Sequence, residues 1–138
     1  MYPPHLTAPM AKDLTDSGFN SLTSAEEVTN VLDSKEGTVL LVVNSVCGCA
    51  AANARPGAKM AVDEADKKPG KAVTVFAGVD LEATERAREF LLPYPPSSPA
   101  IALFKDGKLV HMLERHHIEG RSAEIIAANL KMAFDSHC

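Results

Sequence analysis

Apolar residues recur along this chain in two rhythms, and their alternation predicts most of its elements. Thr38–Asn44 is apolar at every interior position and rich in β-branched residues, the pattern of a strand covered on both faces. Ala72–Ala77 is a second β-rich run. Ala100–Phe104 and Leu109–Leu113 flank Lys105-Asp106-Gly107-Lys108, and Asp-Gly between apolar runs signals a hairpin. Helical spacing fills the intervals. Thr23-Ser24-Ala25-Glu26-Glu27 offers two overlapping capping boxes before the stripe Val28, Val31 and Leu32, which Gly37 ends. From Cys47 onward the chain is helix-forming, with Pro56-Gly57 predicting a kink before the helix resumes through Met60, Ala61 and Ala65. Leu81–Leu92 and Ser122–Phe134 are further helices, the last with Ile125, Ile126, Leu130 and Phe134 on one face. Residues 1–8 read as an irregular arm, followed by a short helix from Pro9 to Asp16 that Gly18 stops.

Strand–helix–strand implies a right-handed parallel crossover, and the closing hairpin must then run antiparallel to that pair at least in part. The expected fold is α/β, a four-stranded mixed sheet with helices on both faces. One domain spans 1–138, with residues 1–20 as an N-terminal arm and short helical extension. At 138 residues, 46% hydrophobic and 23% charged, the chain can bury a core without staples. A net charge of −4 offers no general basic field, so nucleic acid is not an expected partner. No apolar run approaches the ~20 residues needed to cross a bilayer. The start Met1-Tyr2-Pro3-Pro4-His5-Leu6 has neither a basic region nor an apolar signal core, so a cytoplasmic protein without a membrane partner is expected.

The chemistry concentrates where the first core strand ends. Cys47-Gly48-Cys49 follows Asn44 closely, and three cysteines make a poor disulfide framework but a reasonable reactive or metal-binding site. A helix N-terminus favours an anion, which is one route to a cysteine pKa below the unperturbed ~8.5. Cys47, nearer the strand, is the expected exposed nucleophile, and Cys49, deeper in the first turn, the resolving thiol. Fully extended, their α-carbons would stand roughly 6.6–7.2 Å apart, at or beyond the ~4.4–6.8 Å that a disulfide spans. A bridge would therefore need a distorted backbone, which Gly48 could supply, and should be readily reduced.

The element order, with its dithiol at the start of a helix, Pro56 breaking that helix and Ser98-Pro99 before the hairpin, resembles the thioredoxin-like core. The segments Val43–Ala51, Ala54-Arg55-Pro56, Val73–Gly78, Pro96–Pro99, Arg115–Gly120 and Ala133–Cys138 together resemble the bacilliredoxin family across essentially the whole chain. That pattern has a single histidine where His116-His117 stand here. The resemblance implies a bacterial thiol–disulfide oxidoreductase that removes bacillithiol, a low-molecular-weight thiol, from mixed disulfides on client proteins. It also implies disulfide isomerase activity for chains with Cys-Gly-Cys. Pro99 is then expected in a cis bond facing Cys47. Bacillithiol would be a co-substrate with no cofactor bound, the partners being S-thiolated clients and a flavoprotein disulfide reductase.

A rival reading is a soft-metal or iron–sulfur carrier using the Cys47 and Cys49 pair, alone or with Cys138. Other residues read more plainly. Cys138 is a chain-end thiol, and adjacent histidines such as His116 and His117 are expected to point apart, as solvated groups beside His111. Arg55 lies two helical turns past Cys47, suited to packing or an ion pair. Asp63-Glu64-Asp66 and Glu82–Glu89 read as solvated helix faces.

Overall fold

The computed structural model describes residues 2–138. Its elements in chain order are α1 (Pro4–Thr15), β1 (Asn20–Ser21), α2 (Ala25–Leu32), β2 (Thr38–Asn44), a π-helical turn (Ala50–Ala54) leading into α3 (Arg55–Glu64), β3 (Lys71–Phe76), α4 (Leu81–Phe90), β4 (Ala100–Lys105), β5 (Lys108–Leu113), α5 (Arg115–Ile118) and α6 (Ala123–His137). The strands form one sheet in the order β1-β3-β2-β4-β5. β2 runs parallel to β3 and antiparallel to β4, and β4 pairs antiparallel with β5. The mixed sheet with helices on both faces is the expected architecture, with five strands rather than four.

The apolar rhythm of β2 explains the layering. Leu40 and Val42 point into a core shared with Ala58, Ala61, Ile126 and Leu130 of α3 and α6. Val39, Leu41 and Val43 point the other way, against Val28 and Leu32 of α2 and Ala83 and Ala87 of α4. β4 alternates likewise, Ile101 and Leu103 joining the first core and Ala100, Ala102 and Phe104 the second. The α3–α6 contact is close. A Cβ at Gly57 would lie 2.6 Å from Cγ2 of Ile126, so only glycine admits this approach.

Local signals resolve as the chemistry requires. Of the two capping boxes the chain uses Ser24, whose hydroxyl accepts the Glu27 N–H at 3.2 Å. The Glu27 carboxylate accepts the Thr23 N–H at 3.0 Å. Asp106 and Gly107 both take positive φ, 52° and 83°, as a two-residue hairpin turn demands.

Three elements differ from the sequence reading. α1 begins at Pro4, not Pro9: Pro4 occupies the first turn, Pro9 lies inside the helix, and burial of Thr7 and Leu14 fixes the whole segment against the body. β1 is two exposed residues with no apolar signal, and it exists because Asn20 and Ser21 pair in parallel with Val73 and Thr74. α5 is a single turn closed by a reciprocal cap between Glu114 and His117.

Candidate dithiol site

Helical backbone begins at Gly48 and continues to residue 64, interrupted by the π turn. Pro56 has no N–H to offer the Ala52 carbonyl, and the ladder widens just ahead of it, with the Arg55 N–H reaching Ala50. The carbonyl of Cys47 accepts both the Ala50 and Ala51 N–H groups, at 2.9 and 3.3 Å. Cys47 thus stands in the capping position. Its Sγ accepts the N–H of Cys49 at 3.3 Å, the bond that an N-cap oxygen makes in an ordinary helix.

Cys47 is half-buried and Cys49 is buried, 8% exposed. Their sulfurs are bridged, with α-carbons 5.3 Å apart. Helical curvature brings the two residues within bridging range, so the extended-chain limit does not apply. Gly48 departs from its expected role. It is exposed, it is not among the glycines with positive φ, and a Cβ there would meet nothing within 4 Å. The backbone of this bridged state has no need of glycine at that position.

Strand register gathers the other parts around this point. Val43 pairs with Ala100, which sets Pro99 opposite Asn44 at the end of β2. The Ser98–Pro99 bond is cis, and so is Leu92–Pro93, which nothing in the sequence pattern marks. Ile101 pairs with Leu113, so Glu114 and Arg115 emerge at the same end of the sheet. There the Arg115 N–H donates to Ser97 Oγ at 2.7 Å, tying α5 to the proline loop.

Behind the dithiol lies a buried polar chain that spacing alone could not assemble. Arg55 is only 6% exposed. Its guanidinium donates to Asn44 Oδ1 at 3.0 Å, to the Ser45 carbonyl at 3.2 Å and to Asp13 at 3.1 Å. Asn44 Oδ1 also accepts the Ser45 N–H at 2.9 Å, and Ser45 Oγ accepts the Cys47 N–H at 3.2 Å. Asn44 Nδ2 donates to the Met10 carbonyl at 3.2 Å, fastening α1 to the same knot. Lys59 completes it with a 2.6 Å bond to Asp13. Burial pushes the Asp13 carboxyl up, but the hydrogen bond and charge of Lys59, then those of Arg55, outweigh it and hold the group below its ordinary value. The expected ion pair of Arg55 is thus real, but its partner comes from α1, and it also braces the loop that carries Cys47. The buried Asn44, a polar residue ending an apolar strand, is the signal in the sequence that could have flagged this network.

Cys138 sits apart from the dithiol. α6 runs alongside α3, with Ile126 beside Gly57, Lys131 bonded to Glu64, and the Asp135 carbonyl to Lys67. From Ile126 to Cys138 the helix rises about 18 Å away from the dithiol end. The exposed Cys138 therefore cannot join Cys47 and Cys49 in one metal site, which corrects the three-cysteine version of the carrier reading. The adjacent histidines do not point apart: the rings of His116 and His117 lie 4.0 Å apart between centroids. His117 Nδ1 accepts the Glu114 N–H at 3.0 Å, which turns its ring back over the α5 cap. Together with Glu114 these rings bring possible ligand atoms within 4.8 Å of one another. His111 is occupied elsewhere, with its Nε2 2.6 Å from Asn129 Oδ1 on α6.

Comparison with known proteins agrees with this geometry. The family described as Disulphide isomerase matches residues 2–138. A bacilliredoxin of Cytophaga hutchinsonii is 58% identical, over 98% of this chain and 98% of that one. A bacilliredoxin of Salinibacter ruber is 53% identical over 99% of this chain and 81% of its own, and one of Bacillus cereus 48% identical over 99% and 95%. Among solved structures, a putative oxidoreductase with a thioredoxin fold superposes with a TM-score of 0.65 at 14% identity, covering 85% of this chain and 96% of that one. Mitochondrial thioredoxin 3 from Saccharomyces cerevisiae in its oxidized form gives 0.59 at 16% identity, covering 90% and 98%. No helix among the described residues is long and apolar enough to cross a membrane. The chain has the thioredoxin fold and belongs to the bacilliredoxin family of thiol-redox proteins.

Proposed function

We propose that the protein removes bacillithiol from client proteins in the cytoplasm by thiol–disulfide exchange at Cys47. The Cys47 thiolate attacks the bacillithiol sulfur of a mixed disulfide. A Cys47–bacillithiol bond forms, and the client leaves as a thiolate. A second bacillithiol thiolate then attacks the adduct, releasing bacillithiol disulfide and the Cys47 thiolate. In the alternative route the Cys49 thiolate attacks Cys47 Sγ, releasing bacillithiol thiolate and leaving the Cys47–Cys49 bridge. A flavoprotein disulfide reductase supplies the two electrons that restore the thiol pool, and the protein itself binds no cofactor. Pro99 lines the client side of the cleft, facing Cys47. Because the same bridge can pass to a client thiol, the pair also suits disulfide isomerisation.

The observation that carries this reading is the Cys47 sulfur itself. It belongs to a half-buried residue at a helix start, accepts the Cys49 N–H, and is bridged to the sulfur of the buried Cys49. On reduction, that N–H and the positive end of the helix meet an anion. The test is mass spectrometry of the reduced protein after incubation with a bacillithiol-capped client. Transfer of the bacillithiol mass onto Cys47 is expected, and a client that keeps its cap overturns the proposal.

A further inference from the structure

We propose that the buried knot behind the dithiol carries an unbalanced positive charge that favours the thiolate of Cys47, and that Asp13 of α1 sets how much of that charge the sulfur feels. The inference deepens the exchange reading above, on which its bearing on function rests.

Charge comes first. Arg55 and Lys59 share a single carboxylate, that of Asp13, at 3.1 and 2.6 Å. Two cations against one anion leave one positive charge, and the Arg55 guanidinium is buried. Burial opposes ionisation of Asp13, yet Lys59 and then Arg55 hold its carboxyl below the ordinary value, so it stays ionised at neutral pH. The rest of the knot adds no second anion. Asn44 and Ser45 meet the guanidinium with neutral oxygens. Asp16, which borders the same hollow as Arg55, is paired with Lys12 at 2.7 Å. A buried cation is costly unless an anion offsets it, and a thiolate at reduced Cys47 is such an anion.

Distance comes second. The guanidinium donates to the Ser45 carbonyl at 3.2 Å, and Ser45 Oγ accepts the Cys47 N–H at 3.2 Å. Two residues of chain span at most about 7 Å, so the guanidinium lies within roughly 10 Å of Cys47. Its hydrogen bonds go to Asp13, Asn44 and Ser45, so it acts on the sulfur through space, as a positioning residue. Burial leaves little water between them to screen the field.

Other ionisable groups stand at this end of the sheet. Tyr2 packs on Gly78, His5 lies in the first turn of α1, and Asp80 follows β3. Glu114, Arg115, His116, His117 and Glu119 lie in and around α5. Asp63, Glu64 and Lys68 share an open hollow with Lys59. All keep their charges in the two variants below, so their influence cancels in the difference.

The test leaves Cys47 as the only thiol, in a Cys49→Ser, Cys138→Ser background, and follows its alkylation by iodoacetamide against pH. Arg55→Met would disturb the fold, so the charge is altered at its two partly exposed partners. Asp13→Asn removes the anion, keeps the side chain's shape, and should lower the midpoint by about 0.5 pH unit. Lys59→Met removes a cation and should raise the midpoint by about 0.3 pH unit. Higher salt should shrink both shifts. Loosening of the loop alone would move the two variants in the same direction, because each loses a bond to the same knot. Shifts of the same sign, or no shift in either variant, therefore overturn the proposal. Alkylation needs neither client nor bacillithiol, which separates this test from that of the exchange reading. Opposite shifts without cap transfer would uphold the charge effect and defeat the exchange reading, and cap transfer without shifts would do the reverse.

Discussion

Arg55 and Arg121 are both tied to the segment that follows Cys47, Arg55 within it and Arg121 through Asn53, and they are built for different work. Arg55 lies behind the dithiol, 6% exposed, with its guanidinium bonded to Asn44, Ser45 and Asp13. Arg121 is exposed, and among the described residues only its backbone is engaged, by Ile118 and Asn53. A guanidinium whose donors are all committed fixes geometry and has nothing left to offer a ligand. One whose donors face water contributes little to folding and remains free to bind. The same residue type thus holds the loop of Cys47 still where it is buried and adds little to the fold where it faces solvent.

The largest expected effect removes the sulfur whose loop the buried arginine braces. Cys47→Ser should abolish cap transfer, while Cys49→Ser should keep the first step and accumulate a Cys47 adduct, both scored by mass spectrometry. Identical behaviour of the two variants would erase the distinction between half-buried Cys47 and buried Cys49.

The next effect tests the two arginines directly. Arg55→Met leaves Asn44 Oδ1 and the Ser45 carbonyl short of a buried donor and Asp13 short of a cation, at a cost of about 3 kcal/mol. Arg121→Met should stay within about 0.5 kcal/mol, as an exposed substitution does. Urea unfolding measures both, and equal losses would break the comparison.

A smaller effect concerns pH. The Asp13 carboxyl is held below its ordinary value of 3.8, so the folded state binds that proton less readily than the unfolded chain. Its stabilisation is complete above that value and is lost as pH falls through the lower folded one. The stability difference between the native protein and Asp13→Asn should be constant from about pH 5 to 8 and should close below about pH 4. A gap that widened on acidification would contradict the network.

The smallest effect is at Gly48. Gly48→Ala should change stability by no more than about 0.5 kcal/mol, because the backbone there is not left-handed and the space is open. A larger loss would restore the conformational role that the sequence alone suggests for this glycine.

Much of this molecule was written in local patterns. Val39–Val43 could only be a strand buried on both faces, Asp106-Gly107 could only close a tight hairpin, and Pro56 had to disturb the helix that starts after Cys47. Those features act within a few residues, through sterics, amide count and side-chain period, so the sequence by itself determined them, along with the placing of two thiols at a strand-to-helix junction. Three things lay beyond it. β1 exists only through its pairing with Val73 and Thr74, since Asn20 and Ser21 have no strand character of their own. The Asp13–Arg55–Asn44 knot joins residues up to 42 positions apart, and its energy comes from burial that only the packed helices create. The meeting of Arg121 with the dithiol helix, and the separation of Cys138 from it, follow from how α6 lies along α3. Spacing along a chain fixes what a residue can do within a turn or two, whereas which distant groups it meets depends on packing, and there tertiary structure alone decides.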